Sequence, residues 1–182
     1  MTNPGIKDSS GEANLEGNQL IQGCLNGVRQ CEQLLAVIPP AVFIELSNGN
    51  SSIGAHLRHI LDRFQCFFSG IQQGRIDYDD RERDKSIETN IEAASFALNS
   101  IQRRFLSFDL SEYSGKNIEV SESVYHEGEA VTLLSTIDRE LMGLISHSTH
   151  HLAIIGLITK SLGYQMDSDF GKAASTILFE QT

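Results

Sequence analysis

From Leu15 to Ile38 the apolar positions Leu20, Cys24, Val28, Cys31, Leu34 and Leu35 recur at intervals of three and four, predicting one face of an amphipathic helix. Pro39 and Pro40 close it, because proline lacks an amide donor and restricts the residue before it. A short turn with Val42, Phe43 and Leu46 follows, then a polar loop at 47–50. Ser51 or Ser52 can cap a second helix. Its apolar face, Ile53, Leu57, Ile60, Leu61, Phe64, Phe67, Phe68 and Ile71, runs to Gly74. Arg75 to Lys85 is densely charged and reads as an exposed connection. From Ser86 to Phe108, the residues Ile87, Ile91, Ala94, Phe96, Leu98, Ile101, Phe105 and Leu106 predict a third helix.

Between Lys116 and Leu134 the period shortens. Ile118 and Val120, then Val131 and Leu133, alternate with polar neighbours around His126-Glu127-Gly128-Glu129, predicting a small β-hairpin. Ser135 or Thr136 then caps the longest helix, which reaches about Leu162 before Gly163 stops it. The tail from Met166 to Thr182 reads as a loop packed back on the helices. The expected fold class is therefore all-α: a four-helix bundle with a small β-hairpin inserted before the last long helix. Residues 1–14 form a flexible N-terminal segment in this reading, and residues 15–182 a single domain.

Composition narrows the picture. A chain of 182 residues suits one core, burying roughly two-thirds of its unfolded surface. The net charge of −10 argues against a nucleic-acid or anionic-membrane partner, since either needs clustered Lys and Arg. The first residues lack the basic start and apolar stretch of a signal peptide. No uninterrupted apolar run approaches the ~20 residues that span a bilayer. Cys24, Cys31 and Cys66 are odd in number and lack CxxC spacing, so they read as reduced, partly buried thiols. The expected location is the cytoplasm.

Five of the six histidines fall in two predicted helices: His56 and His59, then His147, His150 and His151. Leu144, His147, His151, Ile154 and Ile158 share one helical stripe, so His147 and His151 stand one turn apart on the face expected to meet the core. Two imidazoles at that spacing can converge on one metal ion. His150 is turned about 100° from His151 and points elsewhere. A dry imidazole nitrogen costs about 1–3 kcal/mol, and metal ligation satisfies it; hydrogen bonds to backbone or to a neighbouring ring are the plainer alternative. A third ligand has to come from His56 or His59. Ser148 stands where an HExxH metalloprotease carries glutamate, which removes that reading.

These motifs resemble a known family. Ser52-Ile53-Gly54-Ala55-His56-Leu57-Arg58-His59-Ile60-Leu61-Asp62 is similar to the "IGxHLxH" second-helix signature of the DinB/YfiT-like metalloenzyme superfamily. Ser146-His147-Ser148-Thr149-His150-His151 with Leu152-Ala153-Ile154-Ile155 resembles its "SHxxHHxxxI" helix, and Phe170-Gly171-Lys172-Ala173-Ala174-Ser175-Thr176 its closing "FGxAPST" segment. Ala174 departs from the proline usual there. The match spans roughly residues 15–178. The resemblance implies an antiparallel four-helix bundle, often a homodimer, whose metal ligands are His59, His147 and His151, with His56 a neighbour. It implies a divalent transition metal (zinc, nickel, iron or manganese) and open coordination positions for water or substrate. Its characterised members include thiol-dependent S-transferases and a maleylpyruvate isomerase.

Other polar residues carry weaker expectations. Asp62, one turn beyond His59, is a weak candidate base or imidazole-orienting group and otherwise a solvated helix charge. Arg139 and Glu140 read as a surface ion pair or as contacts to a polar substrate. The run from Asp77 to Asp84 lacks the glycine and glutamate of a calcium loop and reads as solvated, with Arg81 or Arg83 as candidates to hold a substrate carboxylate. Phe64, Phe67 and Phe68 read as core, and His126 as exposed. The expected function is a metal-dependent enzyme, a thiol S-transferase or hydrolase acting on a small-molecule substrate with a low-molecular-weight thiol. The alternatives are a non-catalytic metal-binding stress-response protein and a metal-free bundle that binds an apolar ligand.

Overall fold

The computed structural model describes residues 9–46, 51–113 and 115–182, with side chains from residue 19 onward. The expected polar loop at 47–50 and the first eight residues of the expected N-terminal segment lie outside these. In chain order the elements are α1 (Ser9–Val37), α2 (Pro40–Ile44), α3 (Ile53–Gln73), β1 (Arg75–Asp77), α4 (Lys85–Thr89), α5 (Ile91–Leu106), a 3-10 turn (Leu110–Tyr113), β2 (Asn117–Glu122), β3 (Val131–Thr136), α6 (Ile137–Ser161) and α7 (Ala174–Glu180). The first helix thus starts ahead of the expected Leu15.

The expected all-α bundle is corrected by the sheet. β2 and β3 pair antiparallel from Asn117↔Thr136 to Glu122↔Val131, where the hairpin was expected. A third strand, β1, joins β2 in parallel with Ile76 opposite Val120, giving a mixed sheet in the order β1-β2-β3. The charged segment after Gly74 is therefore only in part the expected exposed connection: 82–85 are exposed, whereas 75–77 form a strand. Ile76 is fully buried and Tyr78 is 2% exposed. Two short-range features cause this. Gly74 takes the left-handed conformation (φ 75°) that ends α3 and reverses the chain. Gly70 then lets the returning strand close on the helix, since a Cβ there would lie 2.6 Å from both the Arg75 carbonyl oxygen and Ile76 Cα.

The chain continues back along α3. The Cys66 thiol donates to the Asp80 carbonyl (3.4 Å), Arg81 reaches His59, and Glu88 reaches Arg58. At the far end α4 seats its backbone on Gly54, where a Cβ would lie 2.0 Å from the Glu88 carbonyl oxygen. That close seat coincides with a break in the expected third helix. Asn90 is extended (φ −136°, ψ 120°); its side chain accepts from the Ala93 amide and its own amide donates to the Ser86 carbonyl. One residue thereby closes α4 and caps α5, a role its short polar side chain favours.

The four long helices pack as a set, α1 and α3 each against both α5 and α6. Their interior holds Leu57, Phe64, Phe67, Phe105, Leu141 and Ile155, all at most 1% exposed. Phe68 joins them, with edge-on contacts to Phe67 and Phe105. All three cysteines are buried free thiols. By length and composition alone α6 qualifies to cross a membrane; here Leu141, Leu144, Leu152 and Ile155 of that helix are buried against protein.

The tail is also more ordered than the expected loop. Gly171 (φ 71°) approaches the Ala153 amide so closely that a Cβ would lie 2.6 Å away, and its own amide donates to Gln30 Oε1 at 2.7 Å. Phe170 covers Gly156. The following segment then forms α7.

Candidate metal centre

Ser52 caps α3 by accepting from the Ala55 amide, and Thr136 caps α6 by accepting from the Arg139 amide. Both helices then present a buried stripe: Leu57, Ile60, Leu61 and Phe64 on α3, and Leu141, Leu144, Ser148, Leu152 and Ile155 on α6. The histidines sit one position off these stripes. His56 and His59 flank the first, and His147 and His151 flank the second, all four half-buried. Ser148, rather than His147, occupies the fully buried line of α6. Packing α3 on α6 closes the two flanks on each other.

His59, His147 and His151 converge. One ligand nitrogen from each lies within 4.8 Å of the others, the one such group among the described residues. Their ring centroids are 4.8, 4.8 and 4.6 Å apart. His56 stands outside this group, with its Nδ1 3.0 Å from His151 Nδ1. A hydrogen bond between those atoms occupies one nitrogen of each ring and leaves His151 Nε2 for another ligand. His150 is exposed at the edge of His151, and His126 is exposed in the hairpin loop.

The electrostatics favour bare imidazoles. Burial, helped by the Arg81, Arg63 and Arg58 charges, lowers the pKa of His59 to about 4. Burial and then Arg63 bring His147 to about 3, and burial with the neighbouring rings brings His151 to about 4. Neutral rings supply the lone pairs that transition metals need. Moreover, His147 Nε2 is shut from solvent with no hydrogen-bond partner. A polar atom left in that state costs about 1–3 kcal/mol. An ion ligated there removes the cost, so the residues present fit a three-histidine metal site.

Other candidates are placed differently. Asp62 is only 2% exposed and forms an ion pair with Arg58 at 2.5 Å, rather than bonding any histidine. Burial raises its pKa, against the Arg58 and Arg81 charges. Arg58 also binds Glu88 at 2.9 Å. Glu140 accepts from Tyr78 (2.8 Å) and Ser135 (2.6 Å) and makes no pair with Arg139, which is exposed. Arg83 is exposed at φ 51°. Arg81 reaches the centre, its Nη1 donating to His59 Nδ1 at 3.0 Å.

Sequence reasoning missed Arg63. Its guanidinium lies 3.8 Å over the Tyr78 ring and pairs with Glu122 of β2, tying the sheet to the histidine flank of α3. The available signal was its place one turn after His59, on the same flank.

The depressed histidines make a testable statement about acid. The unfolded rings titrate near ~6.5 and the folded ones well below, so the unfolded chain takes up protons first. Their contribution to stability is therefore complete above about pH 6.5. It is lost as pH falls from there towards 4, where the folded rings begin to charge. In chelator, urea unfolding free energy of the wild type is expected to fall more steeply between pH 7 and 4 than that of His147→Leu. Carboxylate titrations are common to both and cancel. Parallel slopes would mean that His147 titrates normally in the fold.

Comparison with family models, with curated proteins and with solved structures finds no match. The likeness to the DinB/YfiT-like superfamily thus stands on the three sequence motifs and supports a proposal only.

Proposed function

We propose that the chain is a divalent-metal enzyme of the DinB/YfiT-like kind, with His59, His147 and His151 as ligands and thiol transfer to a small electrophile, or a related hydrolysis, as its reaction. The observation behind this reading is the convergence of three neutral rings within 4.8 Å, one with a buried nitrogen lacking any partner. A zinc, nickel, iron or manganese ion there would lower the pKa of a thiol or water ligated to it. The chain's own part is to hold three lone pairs in place. His56 fixes the His151 ring through its Nδ1. The half-burial of the rings supports an open side for substrate.

A non-catalytic metal staple between α3 and α6 is the second reading. It is favoured by the engagement of Asp62 with Arg58, which leaves no carboxylate bonded to His59, His147 or His151 among the described residues. Elemental mass spectrometry of untagged protein is expected to find about one transition-metal equivalent per chain. Low-molecular-weight thiols should then react with model electrophiles faster with the loaded protein than with the stripped one. Bound metal without any metal-dependent rate, but with a melting temperature lowered by chelation, would establish the staple instead. Absence of metal even after reconstitution would end both readings.

A further inference from the structure

Arg81 differs from the other arginines around this centre. Arg58 is held by Asp62 and Glu88, and Arg63 by Glu122. Arg81 has no carboxylate within ion-pair distance among the described residues. Its Nη1 donates to His59 Nδ1 at 3.0 Å, while its Nε is closed off from solvent with no partner at all. Three buried side-chain nitrogens among the described residues lack partners, on Arg63, Arg81 and His147, and all three side chains adjoin the histidine cluster.

The hydrogen bond to His59 has a chemical consequence. Guanidinium can only donate, so His59 Nδ1 must accept, and its single ring proton sits on Nε2. Ligation needs a bare nitrogen. If Nδ1 is the ligand atom, Arg81 already occupies it. If Nε2 is, the ring proton moves to Nδ1, and two donors then face each other. Either way Arg81 has to leave His59 when the site is loaded. Its backbone is pinned meanwhile: the Arg81 amide donates to the Asp79 carbonyl, and Asp79 accepts from the Ser123 amide. Only the end of the side chain would need to move. The released group carries a full positive charge beside three neutral rings. It also offers the Nε and Nη2 edge, whose two parallel donors match a planar carboxylate.

We propose that Arg81, released from His59 by metal loading, holds the carboxylate of a small acidic substrate or thiol whose reacting end lies at the three-histidine centre. This rests on the metal reading above and adds the substrate class. A thiol held by the ion would give its proton to solvent, and its carboxylate would be the group that meets the two parallel donors of Arg81.

Cobalt(II) as the loaded ion provides a spectroscopic readout that needs no turnover. Mercaptoacetate and 2-mercaptoethanol are similar in length, and the first carries a carboxylate where the second carries a hydroxyl. Followed by sulfur-to-cobalt charge-transfer absorption, the wild type is expected to bind mercaptoacetate about 10–100-fold more tightly, the worth of a charge-assisted hydrogen-bond pair. Arg81→Met and Arg81→Gln should lose that preference, and Arg81→Lys should keep part of it. In the absence of thiol, Arg81→Met should also bind cobalt about 2–10-fold more tightly, because its competitor for His59 is gone. Equal preference in wild type and Arg81→Met, or cobalt bands that neither thiol perturbs, overturns the proposal and leaves the metal site standing. Failure of the wild type to bind cobalt overturns the metal reading and the proposal together.

Discussion

Replacing His147 with leucine is expected to abolish metal binding while leaving the metal-free protein as stable as the wild type, or more so. The two effects have one source. His147 Nε2 is buried without a partner, and burial holds the ring neutral with a pKa of about 3. Without an ion, that nitrogen costs about 1–3 kcal/mol of desolvation with no hydrogen bond in return. Leucine is of similar bulk and carries no polar atom, so it removes the cost without opening a large cavity. Loss of groups that merely orient ligands weakens metal sites about 10–100-fold, so loss of a ligand should exceed a hundredfold. Metal per chain by elemental analysis gives the first effect, and urea midpoints in chelator give the second. A variant that loses more than about 2 kcal/mol in chelator would show instead that the imidazole stabilises the fold. One that retains metal would remove His147 from the ligand set. The trade of stability for a binding site is common at functional positions.

Gly54→Ala is expected to destabilise the fold strongly. In a solvent-facing helix, alanine stabilises by about 1 kcal/mol over glycine. At Gly54 the added Cβ would lie 2.0 Å from the Glu88 carbonyl oxygen and 2.8 Å from the Phe43 ring. The first neighbour is backbone and cannot rotate away, so α4 must shift off α3. Overpacking of this kind costs about 1–3 kcal/mol and sometimes more, which outweighs the propensity gain. A net loss of about 2 kcal/mol lowers the melting temperature of a domain this size by about 4–8 °C. Gly143→Ala in α6 is the control: no atom lies within 4 Å of its Cβ, so it should be neutral or mildly stabilising. If both variants melt alike, the close seat of α4 on α3 is wrong.

Much of the site could be read from one dimension. His147 and His151 lie four apart within a helix whose period is set by Leu141, Leu144, Leu152 and Ile155, so local geometry alone puts them on neighbouring turns. The choice between His56 and His59 was a different matter. Both flank the same stripe of α3, and only the rotation of α3 against α6 turns His59 towards the pair and sets His56 behind His151. The residues by themselves left both open, and the family resemblance chose His59.

The sheet shows the opposite limit. Ile76 and Tyr78 alternate with Asp77 and Asp79, but a three-residue strand is too short for a period of two to stand out from charged surroundings. Its partner in parallel pairing, β2, lies far along the chain, so no local turn signal announces it. The sequence pattern therefore predicts an all-α bundle with a hairpin where the chain builds a three-stranded mixed sheet. The split of the third helix at Asn90 likewise depends on a non-local fact, the room that Gly54 leaves for α4. Arg81 is brought to His59 only because Gly74 and Gly70 return the chain along α3.

By itself, then, the sequence determined the long helices α3 and α6, their capping by a serine or threonine and the spacing of the α6 histidine pair, because these depend on contacts within a few residues. The tertiary structure decided the sheet, the third histidine, the arginine at the centre and the buried nitrogen of His147. Each of those depends on how distant segments shut out water together, a property of the packed chain that no local pattern encodes.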